Sequence, residues 1–348
     1  MKSTFKEEDC IFLLKDLTGV IEYTSFSDKE GLIAKGVNYS EMITEETPID
    51  PYISKIFIDM LRAKAIDLAR YVGVVAESIY KKSSTDAIVV SLARAGSPIG
   101  ALIKRYLRYK YNYDVPHYSI SIIRGKGIDV NALDYICKHH PDGEITFVDG
   151  WTGKGSISKE LTQAVAAYNE ERGTNISSDL AVLADPARIS AMAGTRDDIC
   201  IPNACLNSTV SGLISRTIHN SKYIGLGDYH GAVRYDKLED QDLTNVFLDE
   251  VASKFSDCYF LSMPAKGESC VESIKQRLAM DFPLSDIHKV KLSIGESSRA
   301  LIRRVPYVVL VKDFSNPDLE FVLHLAKEKG VKVMEYDTLD YQCITLLK

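Results

Sequence analysis

The stretch Ala87-Ile88-Val89-Val90-Ser91-Leu92-Ala93-Arg94-Ala95-Gly96-Ser97-Pro98-Ile99-Gly100 decides the fold. Four apolar residues, too few for a helix and rich in β-branching, read as a buried strand. A loop of small residues with one cation follows, and Pro98 to Tyr109 then reads as a helix. The same grammar returns at Ile145-Thr146-Phe147-Val148-Asp149-Gly150-Trp151-Thr152-Gly153-Lys154-Gly155-Ser156, which predicts a strand over 145–148 and a helix over 156–170. Strands over 117–123 and 180–184 and a helix over 130–138 complete an alternating series. Such alternation predicts an α/β domain with a mostly parallel sheet.

Working outward, Asp50-Pro51 opens a long helix: Ile53, Phe57, Met60, Leu61, Ala65, Leu68, Val72 and Val75 recur mostly at steps of three and four. Residues 1–50 read as a hood of loops and short strands. Residues 236–280 read as helix plus linker. Beyond residue 285 a second, smaller α/β unit is expected, with helices over 295–304 and 318–329 and strands over 307–311 and 331–336. The expected division is therefore 1–280 and 285–348.

The chain has 348 residues, 45% hydrophobic and 26% charged, with a net charge of −6. That suits about two folded domains and excludes disorder or a fibrous repeat. No uncharged apolar run reaches the roughly 20 residues that span a bilayer, and the acidic start MKSTFKEEDC is unlike a signal peptide. The seven cysteines are scattered, with no CxxC pair, which reads as reduced thiols in the cytoplasm.

The two strand-end loops carry the chemistry. In the first, Ala93, Arg94, Ala95 and Gly96 offer backbone N–H groups and a cation ahead of a helix. In the second, Thr152, Gly153, Lys154, Gly155 and Ser156 could wrap a phosphate, with Asp149 at the carboxyl edge of the sheet. A Walker A loop does not fit, because Gly155 rather than Ser or Thr follows Lys154. Arg124 and Lys126, between glycines after the 117–123 strand, read as a closing loop or a solvated basic turn. Asp185 follows the third buried strand.

The loop pair resembles the type I phosphoribosyltransferases. With Tyr39-Ser40-Glu41-Met42, Leu206-Asn207-Ser208-Thr209-Val210-Ser211-Gly212 and His230-Gly231-Ala232-Val233, the chain looks similar to the phosphoribosyltransferase–Pelota branch linked to tellurite-resistance operons. That branch also carries a predicted cysteine-protease label, StiP. The resemblance implies a type I phosphoribosyltransferase-like parallel sheet with an N-terminal hood. It implies a Mg2+-dependent transferase using phosphoribosyl pyrophosphate in a stress response. Arg94, Asp149 and Lys126 would be catalytic, and Asp149 would meet the metal through water. The substrate would lie on Ala93, Ala95, Gly96, Arg124, Thr152, Gly153, Lys154, Gly155, Ser156 and Asp185. Many type I enzymes carry two adjacent acids in the second loop; here Gly150 replaces the second.

Lys291, Gly295, Glu296, Ser297, Arg299 and Arg303 open the second unit, and Arg299 and Arg303 share one helical face. This segment resembles the Pelota-like RNA-binding superfamily and implies contact with structured RNA. Two other functional classes stand beside the transferase. One is a nucleotide-sensing RNA-binding protein. The other is a thiol protease using Cys200 or Cys205 with His219. Glu41, Asn207, Ser208, Arg216 and His230 are further candidates without assigned roles, and the oligomeric state is left open between monomer and homodimer.

Overall fold

The computed structural model describes residues 1–259, 262–283 and 289–347. Its first elements are β1 (Ile11–Phe12), β2 (Lys15–Asp16), α1 (Phe26–Ala34) and α2 (Pro51–Ser83). Asp50 caps α2 by accepting the N–H of Tyr52, with Pro51 in the first turn, as the sequence predicts. The alternating core follows: β3 (Ala87–Ala93), α3 (Gly96–Tyr111), β4 (His117–Ile123), β5 (Gly127–Ile128), α4 (Val130–His139), β6 (Glu144–Trp151), α5 (Ser156–Arg172), β7 (Leu180–Ala184) and β8 (Met192–Thr195). Strands β4 and β7 match the expected bounds, whereas β3 and β6 run three residues further into their loops.

The central sheet has the order β1-β4-β3-β6-β7-β8, with β5 paired to β4. All pairs along this path are parallel. From β4 onward the order is 2-1-3-4-5, a doubly wound arrangement. Its topological switch point lies between β3 and β6. Ligand crevices form at the carboxyl ends of such strands, which here are residues 93–96 and 150–156. The hood contributes β1 directly to the sheet edge, and β2 pairs with β9 (Gly231–Ala232). The hood expectation understated this, because a two-residue strand leaves no periodic pattern to read.

Helices α6 (Thr244–Ala252) and α7 (Val271–Asp281) occupy the region read as helix plus linker. The C-terminal domain is a four-stranded sheet of β10 (Val290–Leu292), β11 (Val308–Val311), β12 (Lys332–Glu335) and β13 (Cys343–Leu346), with α8 (Ile294–Arg303) and α9 (Glu320–Glu328). The two strands expected from the sequence are β11 and β12, which are adjacent in the order β10-β13-β11-β12, while β10 and β13 are not legible as strands in the sequence. Among the described residues, no helix is long and apolar enough to cross a membrane.

Candidate functional site

The two strand-end loops do meet. Gly96 lies so close to Val148 and Asp149 that a Cβ there would collide with their backbone. Gly155 holds φ +81°, in the left-handed region, and a Cβ would sit 2.5 Å from Ile189 Cδ1. The crevice beside the loops is filled by the C-terminal domain. Lys154 Nζ donates to Val290 O at 2.9 Å, and Tyr341 OH donates to Gly153 O at 2.7 Å. A Cβ on Gly153 would be 2.6 Å from Glu296 Cδ and 2.7 Å from Leu292 O, and one on Gly295 2.5 Å from the Trp151 ring. The Arg299 guanidinium stacks 4.6 Å from that ring. Asp198, buried, accepts the Ile294 N–H at 3.0 Å and the Gln342 N–H at 2.8 Å, anchoring the start of α8.

The charges expected to hold phosphates are already satisfied. Arg94 is buried, donates to Glu46 at 2.6 Å and to Ile214 O at 2.9 Å. Burial pushes the Glu46 carboxyl up, but Arg94 and two hydrogen bonds from Ser208 hold it below the ordinary range. Thr152 donates to Asp185, which also accepts the N–H groups of Ile189 and Ser190 and pairs with Arg196. Burial lowers Lys154 to about 8 and raises Asp149 to about 6. Asp149 accepts the Gly150 N–H at 2.8 Å. Ser156 starts α5, and Ala93 and Ala95 flank Arg94 against β6. Among the described residues no three His, Cys, Asp or Glu side chains converge as metal ligands.

The 123–127 turn is pinned rather than poised over the crevice. Lys126 Nζ reaches Glu41 at 3.1 Å and His219 O at 3.4 Å. The backbone of Arg124 meets Tyr39 OH and Asn38, and the N–H groups of Gly125 and Gly127 donate to Glu160. Arg216 donates to the carbonyls of Tyr39 and Met42. Asn207 accepts from Arg303 at 3.2 Å. His219 and His230 lie ring to ring at 4.6 Å, and His230 Nδ1 bonds Ser121 Oγ at 2.8 Å. The contacts of Tyr39, Glu41 and Met42 hold the hood to the sheet, and the Asn207–Arg303 contact joins the large domain to α8.

The thiols separate into different environments. Cys200 and Cys205 face each other with sulfurs 3.5 Å apart, both fully buried. The sequence expectation that His219 serves them is not realised, since that ring packs at a tilt against His230 and the two thiols face each other. Burial pushes the Cys258 thiol up to about 11, with no imidazole beside it. Among the described residues, one thiol does meet an imidazole. Cys10 Sγ lies 3.8 Å from His117 Nε2, brought there because β1 pairs with β4.

His117 Nδ1 lies 2.6 Å from Asp9 O. A carbonyl only accepts, so Nδ1 carries the proton and Nε2 is the acceptor that both Ser91 Oγ, at 2.8 Å, and Cys10 Sγ, at 3.8 Å, approach. The Ser91 hydroxyl has one proton, which it gives to Nε2 or to Gly96 O at 3.0 Å; when it turns to Gly96 O, the Nε2 lone pair is left to Cys10. Burial lowers His117 to about 4 and raises the Cys10 thiol well above its ordinary value. The resting pair is a neutral imidazole and a protonated thiol. Sequence reasoning missed it. Cys10 follows an acidic run, His117 opens an ordinary strand, and 107 residues separate them.

A nucleophile with a base within reach, and a third group orienting that base, is the arrangement a thiol hydrolase requires. A family model described as tellurite-like stress resistance cysteine protease StiP matches residues 3–252. The chain is 31% identical to the protein named cysteine protease StiP from Acinetobacter baylyi, over 99% of this chain and 94% of that one. The chain belongs to the StiP family. A model described as a PELOTA RNA binding domain matches residues 267–348. A solved NifS-like protein from Rickettsia africae aligns with 97% of this chain and 93% of its own at 12% identity, with a TM-score of only 0.22. The StiP family's description as a cysteine protease overturns the expectation of a Mg2+-dependent phosphoribosyltransferase. The filled crevice of this StiP-family chain agrees with that correction.

Proposed function

We propose that this chain is a cysteine-dependent peptide hydrolase in which Cys10 is the nucleophile and His117 the general base. The observation that carries the reading is the Cys10–His117 contact, oriented by the Asp9 carbonyl, in a chain of a family described as cysteine proteases. In the reaction His117 Nε2 takes the thiol proton as sulfur bonds the scissile carbonyl carbon. The C–N bond then breaks, and the amine leaves with that proton. Water hydrolyses the thioester, releasing the acid and restoring the thiol.

Cys10 is 7% exposed, so a substrate reaches it only when the neighbouring strap of residues 3–8 lifts while Asp9 and Cys10 stay on His117. The strap is tied by Thr4 N–H to Gly212 O (3.3 Å) and Asn245 Nδ2 to Thr4 O (2.7 Å), while Arg105 donates to Asp9 at 2.6 Å and keeps it on His117. Lifting it admits water, which moves the imidazole and thiol back toward their ordinary pKa values and toward each other. Cys10→Ala and His117→Ala are expected to abolish hydrolysis of an unfolded protein substrate. A Cys200→Ser, Cys205→Ser double variant is expected to retain it. Full activity in Cys10→Ala would sink the assignment.

The 2-1-3-4-5 order also supports reading the large domain as a phosphoribosyltransferase-like scaffold without that family's reaction. The match over residues 267–348 supports RNA as a partner of the C-terminal domain. The helix start first expected to read RNA, at Lys291, Gly295, Glu296, Ser297 and Arg299, lies against the large domain. Gly295 abuts Trp151, and Ser297 is buried.

A further inference from the structure

The charges of the C-terminal domain are sorted along its strands. Strands β11 and β12 run parallel, with α9 returning between them and α8 leading into β11. The starts of both strands and the ends of both helices therefore share one end of the domain. Arg303, Arg304, Lys327, Lys329 and Lys332 are at that end. Asp313, Asp318, Glu320, Glu335, Asp337 and Asp340 are at the other. Lys329 Nζ ties the cationic end together, reaching Ile302 O at 3.3 Å and Arg304 O at 3.2 Å. Lys332 pairs in register with Val308, next to Tyr307. Glu328, an acid at this end, lies 3.3 Å from His324 of the same helix.

Cations at helix ends also complement the helix dipole, and that alone explains Lys327 and Lys329. It does not explain the apolar side chains among them. Val305 is 61% exposed and Tyr307 50% exposed. A cationic rim around an exposed aromatic ring is the combination that holds unpaired nucleotides, phosphates on the cations and a base on the ring.

We propose that RNA docks on this outer end, with Arg304, Lys327 and Lys332 on the phosphates and Tyr307 stacking an unpaired base. The inference rests on the RNA-binding reading of residues 267–348. It needs no separation of the domains, because Arg304, Tyr307, Lys327 and Lys332 are exposed with the domains in contact.

The test is fluorescence anisotropy of the full chain with a labelled oligouridylate, across a salt series. An Arg304→Glu, Lys327→Glu, Lys332→Glu variant should bind about tenfold or more weakly. Its salt slope should fall by about 2, at about 0.7 per single-strand phosphate contact. Tyr307→Ala should weaken binding about fivefold and leave the slope unchanged. All four residues are exposed, and an unchanged melting temperature confirms folding. Wild-type affinity and slope in the triple variant, with binding lost in Arg299→Ala, would move the interface to the helix start and overturn the proposal. No binding by the wild-type chain at low salt would remove the RNA reading itself, and the proposal with it.

Discussion

The large domain seals two polar centres in different ways. At the carboxyl edge of the sheet, Arg94, Asp149, Thr152 and Lys154 are covered by a whole second domain. It brings its own partners: Val290 O, Tyr341 OH, the Arg299 guanidinium and the start of α8 on Asp198. Beneath α3, the Cys10–His117 pair is covered by a strap of a few residues. Hydrogen bonds at Thr4 and exposed ion pairs at Lys6 and Glu8 hold it to the body. The first centre is closed by contacts between the domains, although Glu296 Oε2 and Arg299 Nε are buried in it without a hydrogen-bond partner among the described residues. The second sets a neutral base, held by Asp9 O and Ser91 Oγ, beside a protonated thiol. A polar group whose partners are all internal supports structure. One left with an unspent proton transfer is placed for chemistry.

The comparison can be broken at the dry site first. His117 titrates near 4 in the fold and near 6.5 when unfolded. Its contribution to stability is complete above pH 6.5. It falls as pH drops through that window, because the unfolded chain takes up the proton first, and is gone below about 4. The buried carboxyls Asp129, Asp149 and Asp198, raised to about 6, 6 and 7, act in the opposite direction. The His117 contribution is therefore read as the difference between wild type and His117→Gln in denaturant unfolding. Wild type should lose about 3 kcal/mol relative to the variant between pH 6.5 and 4. Parallel pH profiles would mean that the site is wet at rest.

The interface is the second place to break it. Gly153→Val would push a side chain into Glu296 and Leu292 O. We expect about 1–3 kcal/mol of destabilisation, from overpacking, and faster limited proteolysis between α6 and β10. Hydrolysis at Cys10 should persist, because that site lies under another face of the sheet. Loss of hydrolysis with the fold intact would join the two centres into one.

Much of this architecture was legible in the sequence, and the reason is local. Buried strands such as 117–123 and 180–184 are short apolar runs with turn residues at both ends. The Asp50-Pro51 start is a chemical signal contained in two residues. The loops at 93–96 and 150–156 were placed together correctly, because alternation fixes which strand ends share an edge. What covers them was not legible. A glycine-rich loop that receives another domain looks like one that receives a phosphate, since both need close backbone approach. The thiol–imidazole pair was hidden for a different reason. It depends on β1, two residues long, finding β4 across more than 100 residues. Cys200 and Cys205 drew attention by being near His219 in sequence, although in space they face each other.

The most direct measurement is to trap the nucleophile. The full chain is incubated with a peptidyl epoxide, a substrate-like electrophile that a thiol hydrolase alkylates, and the adduct is mapped by mass spectrometry. The account predicts one adduct, on the peptide containing Cys10, and none in His117→Ala. An adduct on Cys200, Cys205 or Cys258 with Cys10 unmodified, or hydrolysis that continues with no cysteine modified, would contradict it.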